Sequence, residues 1–430
     1  MMVKRNMRTL LFLVAAVVSG CNRGGESSLS QATPTPPPPA LAALVVRESE
    51  SPTGQDSREP ELTTSADGRV ILSWVEKVGE KRHILRFAVR DAAGWSEART
   101  VSEGENWFVN WADFPSVIAR SDGSLAAHWL VKSGPGTYAY DVNIARSKDG
   151  GKTWGRPIVP HTDGTQTEHG FVSLIPLEDG HIGAAWVDGR ATKDVKEGHD
   201  EEAPLPASMQ LRYAAIDADG KLSDEAVLDE RICECCQTSA ALTSEGPVVV
   251  YRDRSPEEVR DIYFVRRQEG GRWTEPKPVH ADGWQINGCP VNGPSVAADG
   301  RRVAVAWFTG AGDEQSVKVA FSGDAGSNFG APTRVDDGNA LGRVDVVMLP
   351  DGSALVCWMS GGAEGGANKV RRVSLDGVLG PVSIIAESDV SRSSGFPRMA
   401  RLGVTVHFAW TQFGKPSRIR TATADVSAFR

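Results

Sequence analysis

Four of the six cysteines lie close together in two short stretches, at Cys233, Cys235 and Cys236 and at Cys289. In an exported protein, clustered cysteines favour disulfides that join neighbouring loops. The adjacent Cys235 and Cys236 cannot bond to each other without strain, so each would pair with another cysteine. We therefore predict two disulfides among these four residues, with the pairing left open.

A metal site is the alternative for the same four cysteines. Thiolate clusters suit soft ions such as copper or zinc, and His169 or His280 would be a further ligand. The Cys-x-Cys-Cys spacing is not that of a standard zinc motif. We therefore predict no metal site and no cofactor. Cys357 lies inside an apolar run and is predicted to be a small buried residue.

Three arginines form a second group of candidate functional residues. Arg190, Arg252 and Arg254 each follow an apolar run that resembles a strand. Guanidinium groups bind carboxylates through two parallel hydrogen bonds. We therefore predict that these arginines bind an acidic sugar, such as a sialic or uronic acid. In the alternative, they pair with nearby aspartates and only hold loops together. Those aspartates are Asp188, Asp253 and Asp261.

Carboxylates and aromatic rings complete a candidate sugar site. Glycoside hydrolysis commonly needs two carboxyl groups, one as the acid and one as the base or nucleophile. The candidates for these roles are Asp113, Glu168 and Asp253. The rings of Trp111 and Trp284 would stack on sugar faces, with Asn287 as a further contact. The alternative is that both tryptophans belong to the core.

The elements that must position these residues form a repeat. From about residue 41, a strand, a glycine turn and an apolar strand with an aromatic residue recur every 50 to 65 residues or so. A third strand, a second turn and a fourth strand complete each unit. The recurring aromatic residues are Trp74, Trp129, Trp186, Tyr251, Trp307, Trp358 and Trp410. Units of this length predict an all-β fold, the β-propeller of four-stranded blades.

The repeat predicts seven blades, with six as the alternative. The last unit has only three strands, and residues 44–47 can supply the fourth, which would close the ring without an open sheet edge. Turns between strands one and two, and between strands three and four, then lie on one rim. The opposite face carries the loops between blades and those between strands two and three. We call it the loop face, and the candidate site residues fall on it.

One tight turn gives the repeat a resemblance to a known family. Residues 147–154 have the form Ser-x-Asp-x-Gly-x-Thr-Trp. The glycine can take a left-handed conformation, and the aspartate can accept backbone N–H groups of the same turn. A weaker copy lies at residues 322–329. The spacing resembles the Asp-box, or BNR repeat, of the sialidase-like β-propellers. Because both copies lie on the rim away from the loop face, they indicate the scaffold and not the function.

The resemblance implies a catalytic set that this sequence does not clearly contain. Sialidases use a Tyr nucleophile with a Glu partner, an Asp acid/base and three arginines, usually on six blades. Sialidases also share an Arg-Ile-Pro motif near the start of the propeller. The nearest matches here are Phe114-Pro115 and Phe396-Pro397. We therefore transfer no sialidase residue to this sequence.

The amino terminus predicts export and a lipid anchor. Basic residues precede an apolar run that is too short to span a membrane, and the stretch from Val18 to Cys21 resembles the bacterial lipobox. We expect a signal peptide at residues 1–21 with lipidation of Cys21, a Pro-rich tether at 22–41 and the propeller at 42–430. The absence of Asp after Cys21 favours the outer membrane.

Together these features predict a cell-envelope lipoprotein, a monomer, whose loop face binds an acidic glycan. One alternative is an exo-sialidase or another glycoside hydrolase acting on acidic sugars, so whether the protein is an enzyme stays open. A second alternative is a metal-binding or protein-interaction scaffold. The formal net charge of −8 leaves no basic surplus for a nucleic acid. The only membrane contact that we expect is the lipid anchor.

Overall fold

Antiparallel strands make up nearly all of the regular structure. The computed structural model describes residues 43–65, 67–177, 180–193, 208–362 and 365–427. The predicted signal peptide, Cys21 and the tether lie outside the described residues. Helical structure in the described part consists of short 3-10 turns at Arg190–Thr192, Ala311–Asp313 and Arg392–Ser394. None of these is long or apolar enough to cross a membrane.

Seven antiparallel sheets follow one another along the described chain, and each sheet is one blade. The first strand, β1 (Val46–Ser49), belongs to the last blade. Blade 1 contains β2 (Ser57–Thr64), β3 (Val70–Val78), β4 (Arg82–Asp91), β5 (Gly94–Trp95) and β6 (Arg99–Gly104). Blade 2 contains β7 (Ser116–Ala119), β8 (Leu125–Lys132) and β9 (Tyr140–Ser147), and its outer edge is a bridge between Ile144 and Ile158. Blade 3 contains β10 (His169–Pro176), β11 (Ile182–Asp188), β12 (Met209–Ile216) and β13 (Leu222–Ile232).

The remaining blades repeat the same order. Blade 4 contains β14 (Ser239–Thr243), β15 (Gly246–Arg252), β16 (Ile262–Arg266) and β17 (Lys277–Pro278). Blade 5 contains β18 (Ser295–Asp299), β19 (Arg302–Thr309), β20 (Ser316–Ser322) and β21 (Thr333–Arg334). Blade 6 contains β22 (Ala340–Met348), β23 (Ala354–Gly362), β24 (Gly365–Val373) and β25 (Ser383–Ser388). Blade 7 contains β26 (Arg398–Leu402), β27 (Thr405–Gln412) and β28 (Arg418–Asp425), with β1 at its edge.

Glycine turns lead into the second strand of each blade, which carries the main core residues. Gly68 and Gly123 have φ of 82° and 80°, a conformation that side chains disfavour. The aromatic residues of the second strands are at most 6% exposed, and they are Trp74, Trp129, Trp186, Tyr251, Trp307, Trp358 and Trp410. Burying a large ring at the same point of every blade packs neighbouring sheets face to face. The repeat predicted from these residues is confirmed.

The ring closes through the amino-terminal strand. β1 pairs antiparallel with β28, so that Val46 lies opposite Ala424. Blade 7 also contacts blade 1, where Arg398 Nη2 lies 2.7 Å from Glu61 Oε1. The edge of β28 is therefore covered. The predicted propeller is confirmed with seven blades, and the six-bladed alternative is wrong.

The turn after β9 fastens blade 2 to blade 1. Asp149 Oδ1 accepts hydrogen bonds from the backbone N–H groups of Thr153 at 2.9 Å and Lys152 at 3.0 Å. These hydrogen bonds, with that of Thr153 foremost, lower the pKa of Asp149. Trp154 packs edge-on against Phe87 of blade 1, with 6.0 Å between ring centroids. The carboxylate of Asp149 is thus used within the turn.

Candidate functional site

Arg190, the first of the three predicted arginines, is bound to carboxylates nearby. Its Nε and Nη2 each lie 2.7 Å from an oxygen of Asp188, and Nη2 is 3.3 Å from Asp163 Oδ2. Asp188 is fully buried, so the guanidinium offsets a charge that would otherwise be costly. This arrangement matches the alternative in which the arginine holds loops together.

Arg252 and Arg254 lie in blade 4 and take different partners. Arg252 is 1% exposed, and it donates to the backbone carbonyls of Asn292 and Arg260 at 2.5 to 3.0 Å. Arg254 forms an ion pair with Glu258, with 2.8 Å between Nη2 and Oε1. In the described structure the three predicted arginines therefore do not converge on one anion site.

The other candidate residues near blade 4 are Asp253, Trp284 and Asn287, and each has a different environment. Burial, with the like charge of Asp229, raises the pKa of Asp253 to about 7. Trp284 is 8% exposed, and its ring lies 4.9 Å from the guanidinium carbon of Arg252. The ring therefore belongs to the core and offers no open face to a sugar. Asn287 is exposed on the loop that follows.

Asp113 and Glu168 meet at a tyrosine that the sequence analysis did not assign to the site. Tyr140 Oη lies 2.9 Å from Asp113 Oδ2 and 2.8 Å from Glu168 Oε1. Asp113 Oδ1 also accepts the backbone N–H of Phe171 at 2.8 Å. A single hydroxyl proton can be donated to only one carboxylate. The other carboxyl group must therefore carry a proton and donate it to the tyrosine.

Burial favours this shared protonation. It raises the pKa of Asp113 to about 7, and, with the charge of Asp113, it raises that of Glu168 to about 8. Burial also raises the pKa of Glu59 to about 8, with Arg58 opposing the shift and Asp113 adding to it. We call Glu59, Asp113, Tyr140 and Glu168 the acid cluster. Near neutral pH the carboxyl groups of Glu59 and Glu168 are therefore mainly protonated and can donate hydrogen bonds, whereas that of Asp113 is partly ionised.

A cavity of about 250 Å³ adjoins the acid cluster on the loop face. Its walls include Arg58, Glu59, Asn110, Trp111 and Phe413. Arg58 Nε and Glu59 Oε2 are buried, and neither atom has a hydrogen-bond partner among the described residues. A buried guanidinium nitrogen without a partner favours a ligand that can accept a hydrogen bond.

Two further arginines lie on the ring of Trp111. The guanidinium carbons of Arg343 and Arg392 are 4.9 Å and 6.0 Å from the ring centroid. Arg343 is 7% exposed, and burial, with the like charge of Arg392, lowers its pKa to about 10. Its Nη1 donates to two backbone carbonyls, at 2.9 and 3.1 Å. Arg343 and Arg392 thus place two cations on one half-buried tryptophan, and Arg58 lines the same cavity as that tryptophan.

The signal for Arg58 is easily missed in the sequence. Arg58-Glu59-Pro60 stands at the start of blade 1 and has the Arg and the Pro of the sialidase Arg-Ile-Pro motif, but Glu59 replaces the Ile. Glu59 has φ of 58°, and the pairing of β2 with β3 shifts register between Arg58 and Glu61. Such bulges redirect side chains. Here the wall of the cavity contains both Arg58 and Glu59.

The four predicted disulfide cysteines are free thiols in this structure. The sulfur of Cys233 lies 3.2 Å from that of Cys236 and 3.8 Å from that of Cys235. A disulfide bond is about 2.05 Å long. Cys289 Sγ lies 3.5 Å from Glu234 Oε1 on the neighbouring loop. The four residues do come together, as the sequence predicts, and their pairing as disulfides stays a prediction.

A second polar cluster lies between blades 2 and 3 and was not predicted. The rings of His161 and His169 stack with 3.7 Å between centroids, and ligand atoms of both histidines and of Asp141 lie within 4.8 Å of one another. His169 Nε2 and Asp163 Oδ2 are 3.3 Å apart. Burial lowers the pKa of His161 to about 3, which keeps this ring neutral. Because Arg190 already pairs with Asp163, a further cation would have to compete with it.

Comparisons with known proteins identify the fold and no family. No family model matches the sequence, and no curated protein is similar to it. Many solved structures share the fold. An ulvan lyase, a polysaccharide lyase bound to GlcA(1-4)Rha3S, is 11% identical with a TM-score of 0.53, over 89% of this chain and 96% of its own.

Two further solved structures have similarly low sequence identity to this chain. A protein of unknown function from Dyadobacter fermentans is 14% identical, over 90% of this chain and 98% of its own, with a TM-score of 0.49. The intramolecular trans-sialidase of Ruminococcus gnavus is 12% identical, over 73% of this chain and 94% of its own, with a TM-score of 0.47. At these identities the likeness to the ulvan lyase supports the β-propeller fold and carries no residue roles.

Proposed function

We propose that this protein binds an acidic glycan in the cavity beside the acid cluster. The observation that carries the proposal is Arg58, which lines the cavity and whose buried Nε has no hydrogen-bond partner among the described residues. A carboxylate or sulfate of the ligand would supply the missing acceptor. Charge-assisted hydrogen bonds of this kind contribute about 1.5–3 kcal/mol each.

The charges around the cavity favour an anion. Arg343 and Arg392 lie on the ring of Trp111, and Trp111 is part of the cavity wall. Glu59 is the acidic neighbour of Arg58, and its raised pKa of about 8 keeps it largely neutral at physiological pH. The positive charge of Arg58 is therefore not cancelled by its nearest carboxyl group.

The shape and lining of the cavity favour a sugar. Phe413 provides aromatic surface and Asn110 provides a polar group, whereas the ring of Trp111 already stacks on Phe396 with 5.8 Å between centroids. Aromatic rings stack on the apolar faces of sugars, and amides bind their hydroxyls. The volume of about 250 Å³ is just below the roughly 300–1,000 Å³ of pockets that enclose drug-sized ligands. We infer that the cavity takes one terminal acidic residue of a longer chain.

Hydrolysis of such a glycan is the second candidate function. The observation in its favour is the contact of Tyr140 with both Glu168 and Asp113, which brings together the residue types that sialidases use. Against it, Tyr140 is 0% exposed and stacks on Phe108 with 3.9 Å between centroids. A nucleophile must reach the reacting atom. We therefore favour binding over turnover.

The place of action belongs to the same proposal. We propose that Cys21 is lipidated and that residues 22–41 hold a monomeric propeller at the outer membrane of the cell envelope. The supporting observations are the lipobox-like sequence before Cys21 and the Pro-rich segment after it. Mass spectrometry of the mature amino terminus would detect a diacylglyceryl Cys21. An unmodified terminus elsewhere in the chain would contradict the anchor.

A saccharide panel tests the ligand class. The full-length protein would be titrated with sialate- and uronate-terminated oligosaccharides, with sulfated ones, and with neutral chains of the same length. We expect binding only to the acidic chains, weakening as salt is added. The matching fluorogenic glycosides test turnover on the same samples. Equal binding to neutral chains would contradict the proposal, and turnover would favour the hydrolase.

A further inference from the structure

Three cysteine sulfurs lie close together on one loop. Cys233, Cys235 and Cys236 offer sulfur atoms within 4.8 Å of one another, with two of the separations at 3.2 and 3.8 Å. Cys289 comes from the loop before blade 5 and reaches the carboxylate of Glu234, which lies between the first two cysteines. All four belong to loops between blades, flanking blade 4 on the loop face.

These separations suit a shared metal ion. A metal about 2.3 Å from each of two sulfurs, at a tetrahedral angle, holds them roughly 3.8 Å apart. The distance between Cys233 and Cys235 equals this value, and the 3.2 Å between Cys233 and Cys236 would have to lengthen when an ion binds. A disulfide joins only two sulfurs, so oxidation would need two pairs, for example Cys233 with Cys236 and Cys235 with Cys289. Adjacent Cys235 and Cys236 cannot bond to each other without strain. A single metal ion can hold all three clustered sulfurs around one point.

Buried positive charge surrounds the thiols. Arg260 is 1% exposed, and its Nη1 lies 3.3 Å from Cys233 Sγ, although its charge is already paired with Glu234 and Glu258 at 3.0 and 2.9 Å. Arg252 is equally buried, and its guanidinium donates to backbone carbonyls; it forms no ion pair with a carboxylate of the described residues. A buried cation without a counter-charge is costly. Metal-bound thiolates carry the negative charge that would offset it.

The loops that carry the cysteines are held firmly together. Gln237 Oε1 accepts the backbone N–H of Gly293 at 2.8 Å. The two backbones approach so closely that a Cβ at Gly293 would lie 2.1 Å from the carbonyl oxygen of Gln237. Cys233 N–H donates to the carbonyl of Arg252 at 3.0 Å. This support fixes the ligand positions before any ion binds, which favours affinity.

The cluster also has an open side. Cys233 and Cys236 are 1% and 2% exposed, whereas Cys235 is half-buried and Cys289 is exposed. An ion can therefore reach the inner sulfurs past Cys235 and Cys289. Soft ions such as Cu(I) prefer sites with three or four sulfur ligands and do not need oxygen ligands.

We propose that Cys233, Cys235, Cys236 and Cys289 form a binding site for a soft, thiophilic metal ion of the Cu(I) class. Each thiol that binds the ion releases its proton to solvent. The site is separate from the glycan cavity and does not depend on the function proposed there. The loop face would then carry two separate sites, one for a soft metal ion and one for a saccharide.

Titration with Cu(I) tests the proposal. Reduced full-length protein would be titrated anaerobically against a chromogenic Cu(I) chelator, and bound copper would be counted by mass spectrometry of the intact chain. We expect one equivalent, with an X-ray absorption spectrum of sulfur ligands only. The variant Cys236→Ser should weaken binding by more than about 100-fold, which exceeds the roughly 10- to 100-fold effect of losing an outer partner. Cys357→Ala, in blade 6, is the matched control and should bind as the parent does.

Two further experiments, a thiol count and a competition with Zn(II), distinguish the proposed site from disulfides and from a zinc site. Thiols would be counted under denaturing, non-reducing conditions on protein isolated from its own compartment. Five reactive thiols, namely Cys357 and the four cluster cysteines, with the latter four protected by copper until it is removed, support the site. Disulfides among these cysteines, or no copper retained at one equivalent, overturn it. Zn(II) bound at the same cysteines and then displaced by Cu(I) supports a soft-metal site, whereas Zn(II) retained against excess Cu(I) contradicts it.

Discussion

Glu59 controls the charge of the glycan cavity at the scale of single residues. Its pKa is raised to about 8, chiefly by burial, so the folded protein holds a proton that the unfolded chain loses near pH 4.5. The stabilising effect of that proton is fully present below about pH 4.5 and is lost as the pH rises through about 8. Over the same interval Glu59 becomes an anion beside Arg58.

Binding of an acidic saccharide should therefore weaken above about pH 8. Ionised Glu59 then competes with the ligand for Arg58 and repels it. We expect the parent protein to lose about 10-fold between pH 7 and pH 9, as a shift of about 1.4 kcal/mol would give. Glu59→Gln should lose less over the same range, with the remaining loss due to Asp113 and Glu168, which also ionise there. Isothermal titration calorimetry at both pH values measures this. The same pH dependence in both proteins would contradict the role of Glu59.

Tyr140 tests whether the acid cluster is structural or catalytic. Tyr140→Phe removes the hydroxyl that Asp113 and Glu168 share and leaves buried oxygens unpaired. We expect unfolding to become easier by about 1–3 kcal/mol, with saccharide binding retained. Tyr138→Phe is the matched control, since Tyr138 is 50% exposed and should change neither property. If the parent hydrolyses a glycoside and Tyr140→Phe abolishes this at unchanged stability, the tyrosine is a catalytic residue.

At the scale of elements, the turn after β9 depends on the glycine that faces blade 1. Gly150 and Gly151 both have positive φ, of 70° and 83°. A Cβ at Gly151 would lie 2.3 Å from Phe87 Cζ, whereas one at Gly150 would meet nothing within 4 Å. The two positions thus share a backbone conformation and differ in packing.

This difference gives a matched pair of variants. Gly150→Ala should cost only the left-handed conformation, about 1–2 kcal/mol. Gly151→Ala should cost about 1–3 kcal/mol more, because the buried Phe87 ring must move. Chemical denaturation of both proteins measures the difference. Equal losses of stability would show that blade 1 accommodates the methyl group and that the turn does not fasten the two blades.

Most strands and turns could be predicted from the sequence, but the candidate site could be predicted only in part. The repeated aromatic residues and glycine turns predict the blades because strand period and turn chemistry are local. The pairing of Arg190 with Asp188 is equally local, two residues apart. Tyr140 meets partners 27 and 28 residues away, and Arg58 is redirected by a bulge. Neither contact has a local sequence signal, so the cavity could not be assembled from the sequence.

At the scale of the whole molecule, the ring depends on a strand from the other end of the chain. β1 covers β28, and Leu44 and Val46 pack against the core of blade 7. A chain that begins at residue 51 should be less stable than one that begins at residue 43, by at least about 2 kcal/mol from the lost burial. It should also aggregate more readily on heating, because an open edge strand pairs with other chains. Scanning calorimetry with light scattering compares the two, and identical curves would contradict closure through β1.

The affinity of Arg58→Ala for an acidic saccharide is the most direct test of the proposed function. Arg156→Ala is the matched control, since Arg156 is exposed on the opposite rim. Calorimetric titration of the parent and both variants gives three affinities under one condition. We predict that Arg58→Ala binds about 10-fold or more weakly, as the loss of a charge-assisted hydrogen bond implies, and that Arg156→Ala binds as the parent does. Unchanged affinity in Arg58→Ala, or an equal loss in both variants, would contradict the assignment of the glycan site to this cavity.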